Sequence, residues 1–190
     1  MTILGVLGCT ILIVGSLGMK DTMNLFVNTF YEKGMQYENR ILLKENILED
    51  DALTIVEKYQ GDYSATSNVI LEDKLKSVEI YHTPHDYVRF INQDNEWIHL
   101  ENEGVYVCSR LAQDHHIKVN DELTITYYGT NQDYKVKVVG ILRSLNESMV
   151  MTETYAKSIS YPYSIQYIYT QEKAVETNEN IKAVQSKDKI

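Results

Sequence analysis

Apolar and polar positions alternate most clearly between Gly104 and Ile141. Val105-Tyr106-Val107 follows the polar run Glu101-Asn102-Glu103 across Gly104. These β-branched and aromatic residues suit a pleated, half-buried surface and predict a strand. Ser109 stands where a helix cap belongs, because its hydroxyl can accept from an orphan N–H further on, and Leu111, Ala112 and His115 share one face of the short helix it would start. Asn120-Asp121 turns the chain. Leu123, Ile125 and Tyr127 then alternate with Thr124, Thr126 and Tyr128, and Val136 and Val138 with Lys135 and Lys137. The polar stretch Gly129 to Asp133 between them predicts a hairpin.

Upstream the periods change. Ile3 to Met19 is an uncharged apolar run, near the lower limit of the about 17–25 residues that span a bilayer as a helix. Ile3, Leu4, Leu7, Ile11, Leu12, Val14 and Leu17 supply its apolar surface, and Gly5, Gly8, Gly15, Ser16 and Gly18 would let neighbouring membrane helices approach closely. A signal peptide fits less well, since no basic residue precedes the run and no A-x-A-like site follows it. Leu7-Gly8-Cys9 has the look of a lipidation box but stands too close to the N-terminus, with apolar residues still following it. Beyond Lys20, the residues Met23, Phe26, Val27, Phe30 and Tyr31 keep helical spacing up to Gly34, so the helix is expected to continue to about Glu32.

Tyr37 to Lys44 reads as a strand. Asp50 and Asp51 cap a helix carrying Ala52, Ile55, Val56 and Tyr59, which stops at Gly61. Tyr63 to Leu71 and Leu75 to Tyr81 are two more strands, and Thr83-Pro84 with Asp86 predicts a short helix presenting Tyr87, Phe90 and Ile91. Near the C-terminus, Thr152 caps a helix to Ser160, Ser164 to Tyr169 is a strand, and Ile181 to Val184 is another. The fold class is therefore α+β.

Composition narrows the function. The 190 residues carry a net charge of −9 and are 44% hydrophobic, enough for a core and the wrong sign for neutralising phosphates, so nucleic acid is excluded as a partner. Cys9 and Cys108 lie in different elements, which gives no disulfide framework. There is no G-x-x-x-x-G-K-S/T, G-x-G-x-x-G or G-x-S-x-G motif. His82, His85, Asp86, His99, His115 and His116 contain ligand chemistry, but His82-x-x-His85 lacks the glutamate of an H-E-x-x-H helix, so no metal and no cofactor are expected. The tyrosines at 155, 161, 163, 167 and 169 suit either strand packing or a partner surface.

Three segments together resemble one family. Gly104-Val-x-Val-x-Ser-x-Leu-Ala112, the run Ile117 to Ile125, and Tyr134 to Ile141 look like the extracytoplasmic core domain of FtsX-like ABC permeases, also called MacB-like. Where that family has Val-Gly-Asp, this chain has Val119-Asn120-Asp121, a mild departure because Asn tolerates positive φ. Gly18-Met19-Lys20-Asp21-Thr22 is similar to the exit segment of the family's first membrane helix.

The resemblance implies an organisation. Residues 1–36 would be the transmembrane helix and its outward extension, 37–81 plus 163–190 a membrane-proximal α/β subdomain, and 82–162 a distal β-rich subdomain. It also implies a non-enzymatic domain held outside the cytoplasm at the cell membrane, working with a cytoplasmic ABC ATPase subunit. Further partners would be other permease helices or a second permease copy, and a peptide, lipid or cell-wall component. Lys20, Asp21 and Thr22 would be the coupling segment. Since the family has further membrane helices, a fragment of a larger permease is expected. The alternatives are a single-pass anchored binding or sensor domain and a tethered hydrolase with an unrecognised site.

Overall fold

The computed structural model describes residues 18–20, 22–25, 27–144 and 146–187. The chain forms two compact units, residues 1–36 and 37–190.

In the first unit Gly18, Met19 and Lys20 are helical, as are Thr22 to Leu25. Thr22 donates its hydroxyl hydrogen to the Gly18 carbonyl at 2.8 Å, one turn back. Val27–Lys33 is wound as a π-helix, a departure from the uniform α-helix that the apolar spacing predicts. Gln36 closes its end: Nε2 donates to the carbonyls of Glu32 at 3.1 Å and Lys33 at 2.9 Å. Met19, Met23 and Leu25 are exposed. Among the described residues no helix is long and apolar enough to cross a membrane. The expected span, with Ile3, Leu4, Leu7, Ile11, Leu12, Val14 and Leu17, lies outside them, as does Asp21.

The second unit is built on one large sheet. Its strands are β1 (Asn39–Leu43), β2 (Asp62–Leu71), β3 (Lys74–Tyr81), β4 (Phe90–Asn92), β5 (Trp97–Ile98), β6 (Val105–Cys108), β7 (Glu122–Tyr127), β8 (Asp133–Arg143), β9 (Ser148–Thr152), β10 (Tyr167–Thr170) and β11 (Ile181–Ser186). Three short helices interrupt them: α1 (Glu49–Lys58), α2 (Ser109–Asp114) and α3 (Glu153–Ser158). The strand order is β11-β1-β10-β2-β3-β9-β6-β8-β4-β5, and β7 pairs with both β2 and β8.

That double pairing closes a ring. From β2 the ladder runs through β3, β9, β6, β8 and β7 and returns to β2. The result is a small barrel whose interior is filled by side chains. Val69, Val78, Val105, Val107, Ile125, Val136, Val138, Met149 and Met151 are all fully buried in it. Outward from β2 extend β10, β1 and β11 as a wing, and outward from β8 extend β4 and β5. Two pairings are parallel, β3 with β9 and β6 with β8.

α1 covers the wing. Ala52, Ile55, Val56 and Tyr59 meet Ile41, Leu43, Ile165, Ile168 and Ile181 in a second apolar cluster. The helix begins one residue before the expected caps: Leu48 is the N-cap and makes no side-chain bond, while Glu49, Asp50 and Asp51 occupy the first turn, where their charge favours the helix dipole. Thr152 caps α3 as expected, accepting from Tyr155 N–H at 3.2 Å. Ser109 does not cap α2. Cys108 takes that position, its Sγ accepting from Leu111 N–H at 3.4 Å, because the Ser109 hydroxyl is committed to the Leu142 carbonyl at 2.8 Å.

Gly104 shows how tightly the barrel closes. A Cβ there would run into the Lys137 carbonyl oxygen and stand 2.6 Å from Val139 Cγ1. Both belong to β8, a paired strand with little room to retreat. Gly104→Ala should therefore cost about 1–3 kcal/mol through overpacking. Urea unfolding of the variant should show a lower midpoint with an unchanged m-value; an unaltered midpoint would mean that β8 yields at this point.

Candidate functional site

Residues 82–101, between β3 and β6, carry the short strands β4 and β5 and are held by several side-chain hydrogen bonds. The sequence predicts a helix over 84–91, and the structure has none. The Thr83–Pro84 peptide is cis, and the next N–H groups go to a carboxylate: Asp62 Oδ2 accepts from Asp86 N–H at 2.6 Å and from Tyr87 N–H at 3.0 Å. Asp62 lies at the start of β2 and is buried. Its other oxygen faces His82 Nδ1 at 3.4 Å, and the His82 ring stacks on Tyr63 with centroids 4.4 Å apart. One carboxylate thus replaces the first turn of the expected helix, and Phe90 and Ile91 enter a strand beside β8.

β4 and β5 form a hairpin missed in the sequence. Asn92 organises its turn, with Oδ1 accepting from Asp94 N–H and Glu96 N–H, both at 2.9 Å, and Asn95 has φ 66°. The polar run Asn92 to Glu96 between Phe90-Ile91 and Trp97-Ile98 was the available signal. Arg143 of β8 donates to the Asn95 side chain, fixing the tip.

His85 holds the base. It is 6% exposed, with Nδ1 3.2 Å from the Val88 carbonyl and Nε2 accepting from Leu100 N–H at 3.1 Å. Phe90 packs edge-on at 5.3 Å and His99 lies 5.8 Å away between ring centroids. Burial pushes its imidazole below the usual value.

Two clefts flank this hairpin. One, about 330 Å³, is lined by His85, Asp86, Val88, Arg89, Trp97 and His99 among others. The other, about 310 Å³, lies between Ile98, His99, Tyr106, Val119 and Gly140. Trp97 and Val119 are both substantially exposed. A third cleft of about 470 Å³ sits on the wing, between the β1 end, residues 164–167 and Lys182.

The predicted turn borders the second cleft. Asn120 has φ 75°, the left-handed conformation its side chain tolerates. Its N–H donates to the Val138 carbonyl at 2.8 Å, Val138 N–H returns a bond to the Asp121 carbonyl at 2.9 Å, and Asp121 Oδ2 accepts from Lys118 N–H at 2.7 Å. Lys20 and Thr22 belong to the other unit. Among the described residues no three His, Cys, Asp or Glu side chains converge as metal ligands; His82 and His85 serve separate hydrogen bonds. Cys108 is buried and unpaired. Tyr155, Tyr161 and Tyr169 are buried in packing roles.

No protein-family model matches the chain. Nor does any curated protein. Among the solved structures that superpose on it are two extracytoplasmic domains. The periplasmic region of MacB from Actinobacillus actinomycetemcomitans superposes with a TM-score of 0.47 at 8% identity, over 82% of this chain and 90% of that one. The extracellular domain of the noncanonic ABC-type transporter YknZ from Gram-positive bacteria superposes with a TM-score of 0.45 at 11% identity, over 72% of this chain and 83% of that one.

Asp62 is the residue on which the segment's entry depends. Asp62→Asn weakens two charge-assisted bonds, each worth about 1.5–3 kcal/mol. Amide exchange at Asp86 and Tyr87 should accelerate selectively, with protection of the barrel amides of β6 and β8 retained; equal exchange at 86 and 87 in both proteins would contradict this.

Proposed function

We propose that the chain is the extracytoplasmic domain of an FtsX-like ABC permease together with its first membrane helix, coupling a cytoplasmic ATPase partner to export or mechanotransmission. The observation that carries this reading is the assembly of the three motif segments. Gly104 packs on β8, the Val119-Asn120-Asp121 turn bonds to β8, and β8 itself contains the Tyr134 to Ile141 segment. The three segments, consecutive between Gly104 and Ile141, thus form one interlocked unit. In the same reading, residues 37–81 with 163–190 are the membrane-proximal part and 82–162 the distal part, with β2 and β3 serving both. The domain does no covalent chemistry of its own. The exposed Met19, Met23 and Leu25 are apolar surface for neighbouring membrane helices or a second permease copy, and the hairpin clefts are the surface for an extracellular peptide, lipid or cell-wall partner.

Topology provides the direct test. A Thr130→Cys variant places a thiol in the exposed β7–β8 turn. In intact cells a membrane-impermeant maleimide should label it; protection until the cells are lysed would place the domain in the cytoplasm and end the permease reading.

The coupling segment Lys20-Asp21-Thr22 makes a separate claim. Glycines at 21 and 22 should cost about 1 kcal/mol each in helix propensity and create a hinge. In the complete permease this variant should hydrolyse ATP at the normal rate yet lose extracellular output. Retained output would favour the second reading, a tethered binding domain, for which the exposed Trp97 beside its cleft is the supporting feature.

A further inference from the structure

We propose that His85 is a proton-operated latch on the excursion from residue 85 to 100: the neutral ring ties Val88 to Leu100, and a proton at Nε2 releases the hairpin that carries Trp97. The geometry fixes the protonation state. A backbone N–H can only donate, so Nε2 must present a lone pair to Leu100, and Nδ1 then carries the hydrogen that reaches the Val88 carbonyl. Both nitrogens are satisfied only in this neutral tautomer. Protonated, the ring has two donors, and the buried Leu100 N–H loses its acceptor. An unsatisfied buried donor is unfavourable, and opening the hairpin base is the way to rehydrate both groups.

The surroundings set the sign. Burial is the largest influence and disfavours the imidazolium; His99 also opposes a second positive charge, whereas the Val88 carbonyl and the Asp62 carboxylate favour the charged ring. Asp86 and Arg89 line the same cleft with opposite charges. The net shift is downward, so the closed form prefers the neutral ring. Closure is at full strength above the ordinary imidazole value of about 6.5 and weakens as pH falls below it. On a domain outside the membrane, the external pH would then govern access to the hairpin surface. The latch itself is carried by the hairpin geometry and does not need the permease reading; only the step from pH to external pH rests on that reading.

Trp97 is the chain's single tryptophan, at 42% exposure on the hairpin itself, and is a built-in reporter. The experiment follows Trp97 emission and the Leu100 amide exchange rate, corrected for intrinsic chemistry, in the detergent-solubilised full chain from pH 8 to 5. The expected result is a red shift of Trp97 and a loss of Leu100 protection by up to about tenfold per pH unit below 6.5, while amides of β6 stay protected. In His85→Gln the amide oxygen can still accept from Leu100 but does not titrate, so the pH response should vanish. If glutamine fails to hold the base, Leu100 should be unprotected at every pH, which equally assigns closure to His85. His99→Gln removes one repulsion on the protonated closed ring, so the response should persist but weaken, with its midpoint moved to lower pH. A wild-type-like response in His85→Gln, no response in the native chain, or simultaneous loss of β6 protection would overturn the latch.

Discussion

Everything in the larger unit depends on β2 being shared by two assemblies. Its first residues, Asp62 to Ser64, pair with β10 of the wing, and Val69 and Ile70 near its other end pair with β7 of the barrel, while β3 runs along the opposite edge from Ser64 to Leu71. Between β10 and β7 the strand has no neighbour on that edge, and a buried backbone without partners would be costly. The groups are supplied individually. Two carbonyls are met this way: Gln166 Nε2 donates to the Thr66 carbonyl at 2.7 Å and Tyr128 N–H to the Asn68 carbonyl at 3.0 Å, while the Ser67 hydroxyl and Tyr161 Oη, 2.6 Å apart, add a side-chain tie. The divergence of wing from barrel is thus built into one strand, and the two apolar clusters meet there without becoming separate domains.

What the sequence disclosed follows from where each strand's faces lie. β8 has one face in the barrel and one toward solvent from Asp133 to Val138, so Tyr134, Val136 and Val138 alternate with charged residues and the period is plain. β9 is buried on every residue from Ser148 to Thr152, and a strand covered on both faces has no alternation to display. It was missed for that reason, although it joins β3 to β6 and the barrel cannot close without it. Residues 84–91 failed differently. Local signals there are those of a helix start, and a distant carboxylate, Asp62, outcompetes them by accepting the same N–H groups across 24 and 25 positions of sequence. No local window contains that partner.

The candidate site shows the same division. Asn120 was legible because a left-handed turn makes a chemical demand on one residue. His85 was not, since its role comes from two backbone groups brought to opposite sides of one ring by the β4–β5 hairpin. The Ser109 cap was misassigned by a single position for a comparable reason: the Leu142 carbonyl, far along the chain, claims its hydroxyl.

The hairpin base is also the end of a continuous series of ring contacts. Tyr37, the first residue of the larger unit, packs on Tyr169 with centroids 5.0 Å apart; Tyr169 stacks with Tyr81 at 6.4 Å; Tyr81 meets Phe90 edge-on at 5.0 Å; and Phe90 meets His85. Burial raises the phenols of Tyr81 and Tyr169, so both stay neutral and the series carries no charge along its middle. Rigid rings in contact pass on displacement better than flexible aliphatic chains, because each has few torsions in which to absorb it. Packing alone does not make a route: some element must have two discrete arrangements that both ends can bias. With His85 latched or released, the far end has two. The structure gives Tyr37 a single arrangement, so the series is a packed connection and the two-state element is the hairpin base at His85.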